Sequence, residues 1–191
     1  LTEQKGFQLL LEASAGIFSL LGYQGIIGGA VAGGDERGEE FARGLRNLET
    51  YYPKQVSVGI GFQDVRIPLL GADLFLMPSM HEPGGISQLE AFACGSFVCA
   101  RATGGLKDTV HPMLSRGRRV EGNGVLFSDY SASAFYDAMQ RFHTLYTSVS
   151  TEALSAARER MIGEVFSWRQ PAERYRDLIY TMKEIIPGGR E

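Results

Sequence analysis

The chain has 191 residues, of which 44% are hydrophobic and 21% are charged, and this composition is typical of a soluble globular domain with one core. The formal net charge of -3 gives no electrostatic reason to bind a polyanion, which argues against a nucleic-acid partner. No apolar run approaches the roughly 20 residues of a membrane-spanning helix, and the first residues lack a signal-peptide pattern. We therefore expect a cytoplasmic protein, or a plastid one in a plant or alga, without a membrane partner.

Short apolar runs alternate with amphipathic segments over the first two thirds of the chain. Apolar residues at helical spacing predict a helix over residues 7–21, and a helical, charged pattern predicts another over residues 36–51. Residues 86–94 are predicted to form the next helix. Short apolar runs predict strands over residues 26–32, 56–60, 72–77, 97–100 and 124–127. The strand at 72–77 is expected to be buried on both faces and to end at Pro78. The alternation predicts an α/β fold with a Rossmann-like, doubly wound parallel sheet that binds ligands at its carboxyl edge.

The remaining sequence is predicted to be helical. Amphipathic periodicity predicts helices over residues 133–146, 151–165 and 168–186, with no strand between them. We therefore predict one domain over residues 1–186, with a parallel α/β core at 1–128, a helical tail at 129–186, and a short terminal tail at 187–191. Ser167 is a good helix N-cap, and Trp168 is expected to anchor the last helix in the core.

Two other features favour structural interpretations. Cys94 and Cys99 lie five residues apart, with no second pair and no neighbouring histidine to complete a metal site. We predict buried, reduced thiols, which fits a reducing compartment. The basic stretch at residues 116–119 predicts a solvated loop.

The densest group of polar residues spans residues 81–90, directly after the strand that ends at Pro78. Glu82 precedes the predicted helix, whereas Glu90 lies about one turn inside it, so the two carboxylates can flank a ligand docked at the helix start. Gly84 and Gly85 let backbone N–H groups approach an anion closely, and a helix N-terminus favours negative charge. This pattern predicts a diphosphate site.

Two further segments point to the same edge of the sheet. The turn formed by Thr103, Gly104 and Gly105 also follows a strand and precedes a helix, so its donors are expected to face the same crevice. Lys5 beside Gly6 is positioned to neutralise phosphate charge as a point cation. Taken singly, a glycine turn or a lysine is more often structural or solvated, but three such segments at strand ends favour one anion site.

The ordered motifs resemble the glycogen and starch synthases. The resemblance rests on residues 72–79, on Glu82-Pro83-x-Gly85, and on Thr103-Gly104-Gly105-Leu106-x-Asp108-Thr109-Val110. Segments near residues 1–6, 122–131 and 166–180 are also similar, so the resemblance spans nearly the whole chain. These enzymes are retaining GT-B glycosyltransferases, and the resemblance implies that this chain is the C-terminal, donor-binding half of a GT-B fold.

The resemblance also implies an activity and a set of site residues. The reaction would be glucosyl transfer from ADP-glucose, or UDP-glucose as the alternative donor, to an α-1,4-glucan. Lys5 on the donor diphosphate and Glu82 on the glucose hydroxyls would be the catalytic residues. Glu90 would bind the ribose hydroxyls, and the remaining donor contacts would come from Gly84, Gly85, Ile86, Thr103, Gly104 and Gly105. We expect no cofactor and no metal, since no Asp-x-Asp motif occurs.

Departures from the synthase pattern keep two alternatives open. Bacterial and plant synthases usually have Phe-Glu-Pro-Cys-Gly where this chain has His81 to Gly85, and they usually lack a residue like Glu90, which is typical of the wider retaining GT-B superfamily. The alternatives are a donor domain with a different acceptor and a non-catalytic nucleotide-sugar-binding module. We expect the α-glucan acceptor to bind through an N-terminal half outside this chain, and the isolated chain to be inactive.

Overall fold

A computed structural model describes residues 1–62, 64, 66–117, 119–164 and 169–185. The helices are α1 (Phe7–Ser14), α2 (Glu36–Tyr51), α3 (Arg66–Gly71), α4 (Ser87–Ala93), α5 (Leu106–Thr109), α6 (Ala132–Ser148), α7 (Thr151–Gly163) and α8 (Arg169–Ile185). The strands are β1 (Gly25–Gly29), β2 (Val56–Ile60), β3 (Leu74–Met77), β4 (Phe97–Arg101), β5 (Leu114–Arg116), β6 (Arg119–Glu121) and β7 (Gly124–Phe127). A 3₁₀ turn (Glu3–Lys5) precedes α1, and a π-helical segment (Ala15–Leu20) follows it.

The strands form two parallel sheets and one antiparallel hairpin. β1 pairs with β2, while β4 lies between β3 and β7, and all of these pairings are parallel. β5 and β6 form the antiparallel hairpin. The predicted α/β class with parallel strands is confirmed. Since neighbouring parallel strands end at one edge, the segments that follow β3, β4 and β7 lie side by side.

Three predicted elements are confirmed with their bounds, namely α2, β2 and β7. α2 begins where it does because the side chain of Asp35 accepts a hydrogen bond from the backbone N–H of Gly38 at 3.0 Å, which caps the helix. The first predicted strand is shorter than expected. β1 stops at Gly29, which pairs with Ile60, the last residue of its partner β2.

The strand predicted at 72–77 differs in length and in burial. β3 begins only at Leu74, and it lies at one edge of its three-stranded sheet. Its first three residues are half-buried, so the prediction of burial on both faces is wrong for this strand. β4 takes the central position, and its residues from Phe97 to Ala100 are completely buried.

The first helix is regular only to Ser14. Its last turn widens to π geometry, in which the N–H of Leu21 donates to the carbonyl oxygen of Gly16 at 3.0 Å. A Cβ atom at Gly16 would lie 2.4 Å from the ring of Tyr136, so the glycine lets α6 approach closely. The predictions also missed α3, α5 and the β5–β6 hairpin, whose turn includes part of the basic stretch expected to be a loop.

The helical part after β7 packs on the parallel strands. α6 lies against β4 and β7, and the ring of Phe142 lies 5.9 Å from that of Phe97. Phe135 and Met161 belong to the same buried cluster as β4. Trp168 and residues 187–191 lie outside the described residues, and the domain boundaries stay a prediction. No helix in the described part of the chain is long and apolar enough to cross a bilayer.

The two cysteines are free thiols with different environments. Cys99 is fully buried in β4, whereas Cys94 is half-buried after α4, so the expected burial is confirmed in full only for Cys99. Burial disfavours the thiolate and raises the pKa of Cys99 to about 12.

We predict that one thiol of the native chain reacts with a chromogenic disulfide reagent at pH 8. The thiolate is the reactive form, so Cys94 should react while Cys99 stays protected until the chain unfolds. The measurement is the number of thiols modified over time, before and after addition of guanidinium. In a Cys94→Ser variant, fast modification of Cys99 under native conditions would contradict the packing described for β4.

Candidate functional site

The segment before α1 lies against the loop that follows β3. The backbone N–H of Met80 donates to the carbonyl oxygen of Gln4 at 2.7 Å, and the side-chain amide of Gln4 donates to the carbonyl oxygen of His81 at 2.7 Å. Gly6 has φ +75°, and a Cβ atom there would lie 2.1 Å from the carbonyl oxygen of Pro78. Only glycine therefore lets the two segments approach this closely.

This contact brings Lys5 and Glu82 together. Lys5 Nζ lies 2.6 Å from Glu82 Oε2, which also accepts a hydrogen bond from Ser79 Oγ at 3.3 Å. Glu82 is 8% exposed, whereas the side chain of Lys5 is 49% exposed. Glu82 Oε1 accepts no hydrogen bond from any residue that the structure describes. The edge of the sheet thus carries a reachable ammonium group beside a nearly buried carboxylate with one oxygen unused.

Arg101 ties three segments of this edge together. Its guanidinium donates through Nη1 to the carbonyl oxygen of Met80 and through Nε to that of Ser128 at 3.2 Å. The same group lies 5.5 Å from the ring centre of Tyr130, whose hydroxyl donates to the carbonyl oxygen of Glu3 at 3.4 Å. Arg101 was not predicted, although its position at the end of a buried strand, just before a glycine turn, was a usable signal.

The two predicted glycine turns pack backbone against backbone. The N–H of Gly105 donates to the carbonyl oxygens of Glu82 at 3.2 Å and Pro83 at 3.1 Å. Gly104 has φ +47°, and a Cβ atom there would lie 1.9 Å from the carbonyl oxygen of Glu82. A Cβ atom on Gly105 would lie 2.5 Å from the carbonyl oxygen of Gly84. The second turn therefore supports Glu82 directly, and its Gly105 amide already has acceptors within the chain.

The first glycine turn leaves its donors open. Gly84 and Ile86 are exposed, and Gly85 is half-buried with φ +70°. In the part of the chain that the structure describes, the backbone N–H groups of Gly85 and Ile86 have no acceptor. Glu90 lies in the first turn of α4, exposed and without an ion pair among the described residues, as the spacing predicted. This turn can offer two N–H groups to an anion.

Thr103, a predicted site residue, and His81 make fewer contacts within this edge. Thr103 is half-buried, its N–H donates to the carbonyl oxygen of Arg101 at 2.8 Å, and its hydroxyl has no partner among the residues described. His81 is exposed, and its carbonyl oxygen rather than its ring takes part in the contact with Gln4. His81 directly precedes Glu82 in the chain, and Thr103 directly precedes Gly104, which packs against the carbonyl oxygen of Glu82.

The site is an open edge of the sheet. Two surface cavities of about 450 and 490 Å³ lie elsewhere, one lined by Arg141 on α6 and the other by Arg43 on α2. Among the described residues, no three acidic, histidine or cysteine side chains are grouped so that they can hold a metal ion. The expectation of a metal-free site stays a prediction.

We predict that Gly104→Ala destabilises the chain by at least about 2 kcal/mol, because the new Cβ meets a carbonyl oxygen in a left-handed backbone conformation. Gly84→Ala is the matched control. A Cβ atom at Gly84 has nothing within 4 Å, so its effect should stay within about 0.5 kcal/mol. Urea unfolding followed by circular dichroism measures both, and equal stability of the two variants would contradict the contact between the turns.

Comparison with known proteins identifies the family. The family of glycosyl transferases group 1 matches residues 1–160. The chain is 37% identical over 184 residues to a glycogen synthase of Desulfitobacterium hafniense and 39% identical over 181 residues to one of Myxococcus xanthus. These alignments cover 95% and 94% of the chain, but only 37% and 35% of the two synthases.

A solved structure agrees with the sequence comparison. The catalytic domain of starch synthase IV from Arabidopsis thaliana, bound to ADP and acarbose, superposes with a TM-score of 0.77 at 26% identity. The superposition covers 93% of this chain and 36% of that protein. The predicted resemblance to glycogen and starch synthases is confirmed. The chain belongs to the group 1 glycosyl transferases.

Proposed function

We propose that this chain is the nucleotide-sugar-binding half of a retaining GT-B enzyme that transfers glucose from ADP-glucose to an α-1,4-glucan. The observation that carries the proposal is the Lys5–Glu82 pair at the carboxyl edge of β3, beside the open N–H groups of Gly85 and Ile86. A cation and backbone donors suit a diphosphate, and a carboxylate suits sugar hydroxyls.

In the proposed reaction, the bond between C1 of glucose and the β-phosphate oxygen breaks. A bond forms between C1 and the terminal hydroxyl oxygen of the glucan, and the hydroxyl proton leaves with the nucleoside diphosphate. Negative charge grows on the leaving diphosphate, so the ammonium group of Lys5 and the N–H groups of Gly85 and Ile86 stabilise the transition state. Glu82 Oε1, which has no partner among the described residues, accepts hydrogen bonds from the glucose hydroxyls and orients the ring.

Glu90 is proposed to bind the nucleoside. Glu90 lies in the first turn of α4, whereas Glu82 precedes the helix; Glu90 is exposed and has no ion pair among the described residues. A carboxylate can accept hydrogen bonds from both ribose hydroxyls. This role does not distinguish between bases, so the preference for ADP-glucose over UDP-glucose is supported by the ADP bound to the similar starch synthase.

The glucan acceptor is proposed to bind mainly through the part of the longer enzyme that this chain does not contain. The chain spans little more than a third of the glycogen synthases it matches, which leaves ample sequence for a second domain. Acarbose in the starch synthase structure supports an oligosaccharide acceptor. The thiols that are free in this chain are consistent with a cytoplasmic location.

A different acceptor is the second candidate. The exposed Glu90 favours it, because this residue departs from the usual glycogen and starch synthase pattern. A longer enzyme that contains this chain should extend maltooligosaccharides under the first proposal. Transfer only to small sugars would favour the second.

We predict saturable binding of one nucleoside diphosphate and its glucose conjugate to this chain, measured by isothermal titration calorimetry with ADP, UDP and GDP. Lys5→Ala removes a charge-assisted contact and should weaken the affinity by about tenfold or more. The same affinity is expected with a metal chelator present. Lys54→Ala is the matched control, since Lys54 is an exposed lysine in the turn before β2, at the opposite end of the strands.

A Glu90→Ala variant separates the nucleoside from the diphosphate. It should weaken ADP and AMP by similar factors, whereas Lys5→Ala should weaken ADP more than AMP. Thermal unfolding of each variant checks that the chain stays folded. Binding by the parent chain that is unaffected by both substitutions would contradict the proposed site.

A further inference from the structure

Gln88 is a polar residue that is completely buried under the first glycine turn. Its side-chain Nε2 donates to the carbonyl oxygens of Gly84 at 3.2 Å and Gly85 at 3.0 Å, and to Thr109 Oγ1 at 3.3 Å. Thr109 Oγ1 donates in turn to the carbonyl oxygen of Gly105 at 2.9 Å. One buried amide thus connects both glycine turns.

These hydrogen bonds fix the direction of the neighbouring N–H groups. A trans peptide is planar, so its N–H points away from its C=O, and the chain has no cis peptide bond. The carbonyl group of Gly84 points inward to Gln88, which turns the N–H of Gly85 to the opposite, solvent-facing side. The carbonyl group of Gly85 does the same for the N–H of Ile86, a residue that is 73% exposed. Both N–H groups are the open donors of the candidate site.

The cost of burying Gln88 is not fully offset within the chain. Its Oε1 is buried and has no hydrogen-bond partner in the described part of the structure. The reverse orientation of the amide would put that oxygen against two carbonyl oxygens, so the observed orientation is the better one. An unpaired buried carbonyl oxygen is destabilising, because it has lost its hydrogen bonds to water without replacing them. An apolar side chain of similar length would avoid this cost, so stability alone does not account for a glutamine here.

Gln88 also requires a glycine at position 85. A Cβ atom on Gly85 would lie 2.3 Å from Gln88 Oε1 and 2.8 Å from Nε2. The amide group therefore packs directly against the Cα atom of the turn, and a shift of one moves the other.

We propose that Gln88 is a positioning residue that turns the N–H groups of Gly85 and Ile86 outward to hold the diphosphate of the donor. The ligand in this inference rests on the proposed function, whereas the direction of the N–H groups does not. Gln88 itself does not touch the donor, since it is buried beneath the turn.

The test uses Gln88→Met, which keeps the length of the side chain and removes both the donor and the unpaired oxygen. Gln55→Met is the matched control, because Gln55 Nε2 also donates to two backbone carbonyl oxygens, those of Phe18 at 2.7 Å and Tyr23 at 3.2 Å, but at the amino end of the strands. Residual dipolar couplings of the ligand-free ¹⁵N-labelled proteins report the direction of each N–H bond. Titration with inorganic pyrophosphate reports anion binding.

We expect Gln88→Met to change the couplings of Gly85 and Ile86 and to weaken pyrophosphate binding by about tenfold, with a midpoint of urea unfolding close to that of the parent chain. Gln55→Met should leave both the couplings and the affinity unchanged. Unchanged couplings of Gly85 and Ile86 in Gln88→Met would overturn the inference, and so would unchanged affinity. If the parent chain binds no pyrophosphate, the proposed function fails, and the couplings still decide the role of Gln88.

Discussion

The near-burial of the Glu82 carboxylate is the constraint on which the arrangement of the site depends. Removing a carboxylate from water costs several kcal/mol unless a partner of opposite charge compensates for it. Lys5 provides that charge at 2.6 Å, and the close approach of Gly6 to Pro78 is what brings Lys5 within reach. Gly104 and Gly105 support the same residue from the other side, through contacts with the backbone of Glu82 and Pro83. Three separate glycines thus pack against the loop that carries this acidic side chain.

This arrangement also explains how one edge can serve a charged donor. Lys5 is half-exposed, so its ammonium group can contact an incoming phosphate while it remains near Glu82. The outward N–H groups of Gly85 and Ile86 add donors without adding side chains. A diphosphate placed there would meet fixed dipoles, which favours preorganised charge stabilisation over a rearrangement during the reaction. The polar groups of the site are held by the backbone of three loops, which Arg101 links together.

Local sequence patterns predicted much of this fold. They failed where contacts between distant segments determine the position or geometry of an element. The bounds of α2 were predicted from a helical, charged pattern, which is local, and the structure shows a local N-cap at Asp35. The edge position of β3 depends on the order of strands, which periodicity does not contain. The close approach of α6 to Gly16 involves the ring of Tyr136, more than 100 residues away.

The site shows the same division. The placement of Glu82 before a helix and of Glu90 in its first turn was predicted correctly, because it follows from local residue spacing alone. The backbone N–H groups of the second turn were predicted to face the donor site. The N–H of Gly105 instead donates hydrogen bonds to carbonyl oxygens of the chain itself. Gln88 was not among the predicted site residues, since no spacing rule indicates that a glutamine is buried beneath a turn.

Amide chemical-shift mapping with ADP tests the central claim most directly, because every candidate surface of the chain is observed in one titration. We predict that the largest shifts occur at Lys5, Gly84, Gly85 and Ile86, at the carboxyl edge of β3. Shifts confined to the cavity beside Arg43 on α2, or to the one beside Arg141 on α6, would contradict the account.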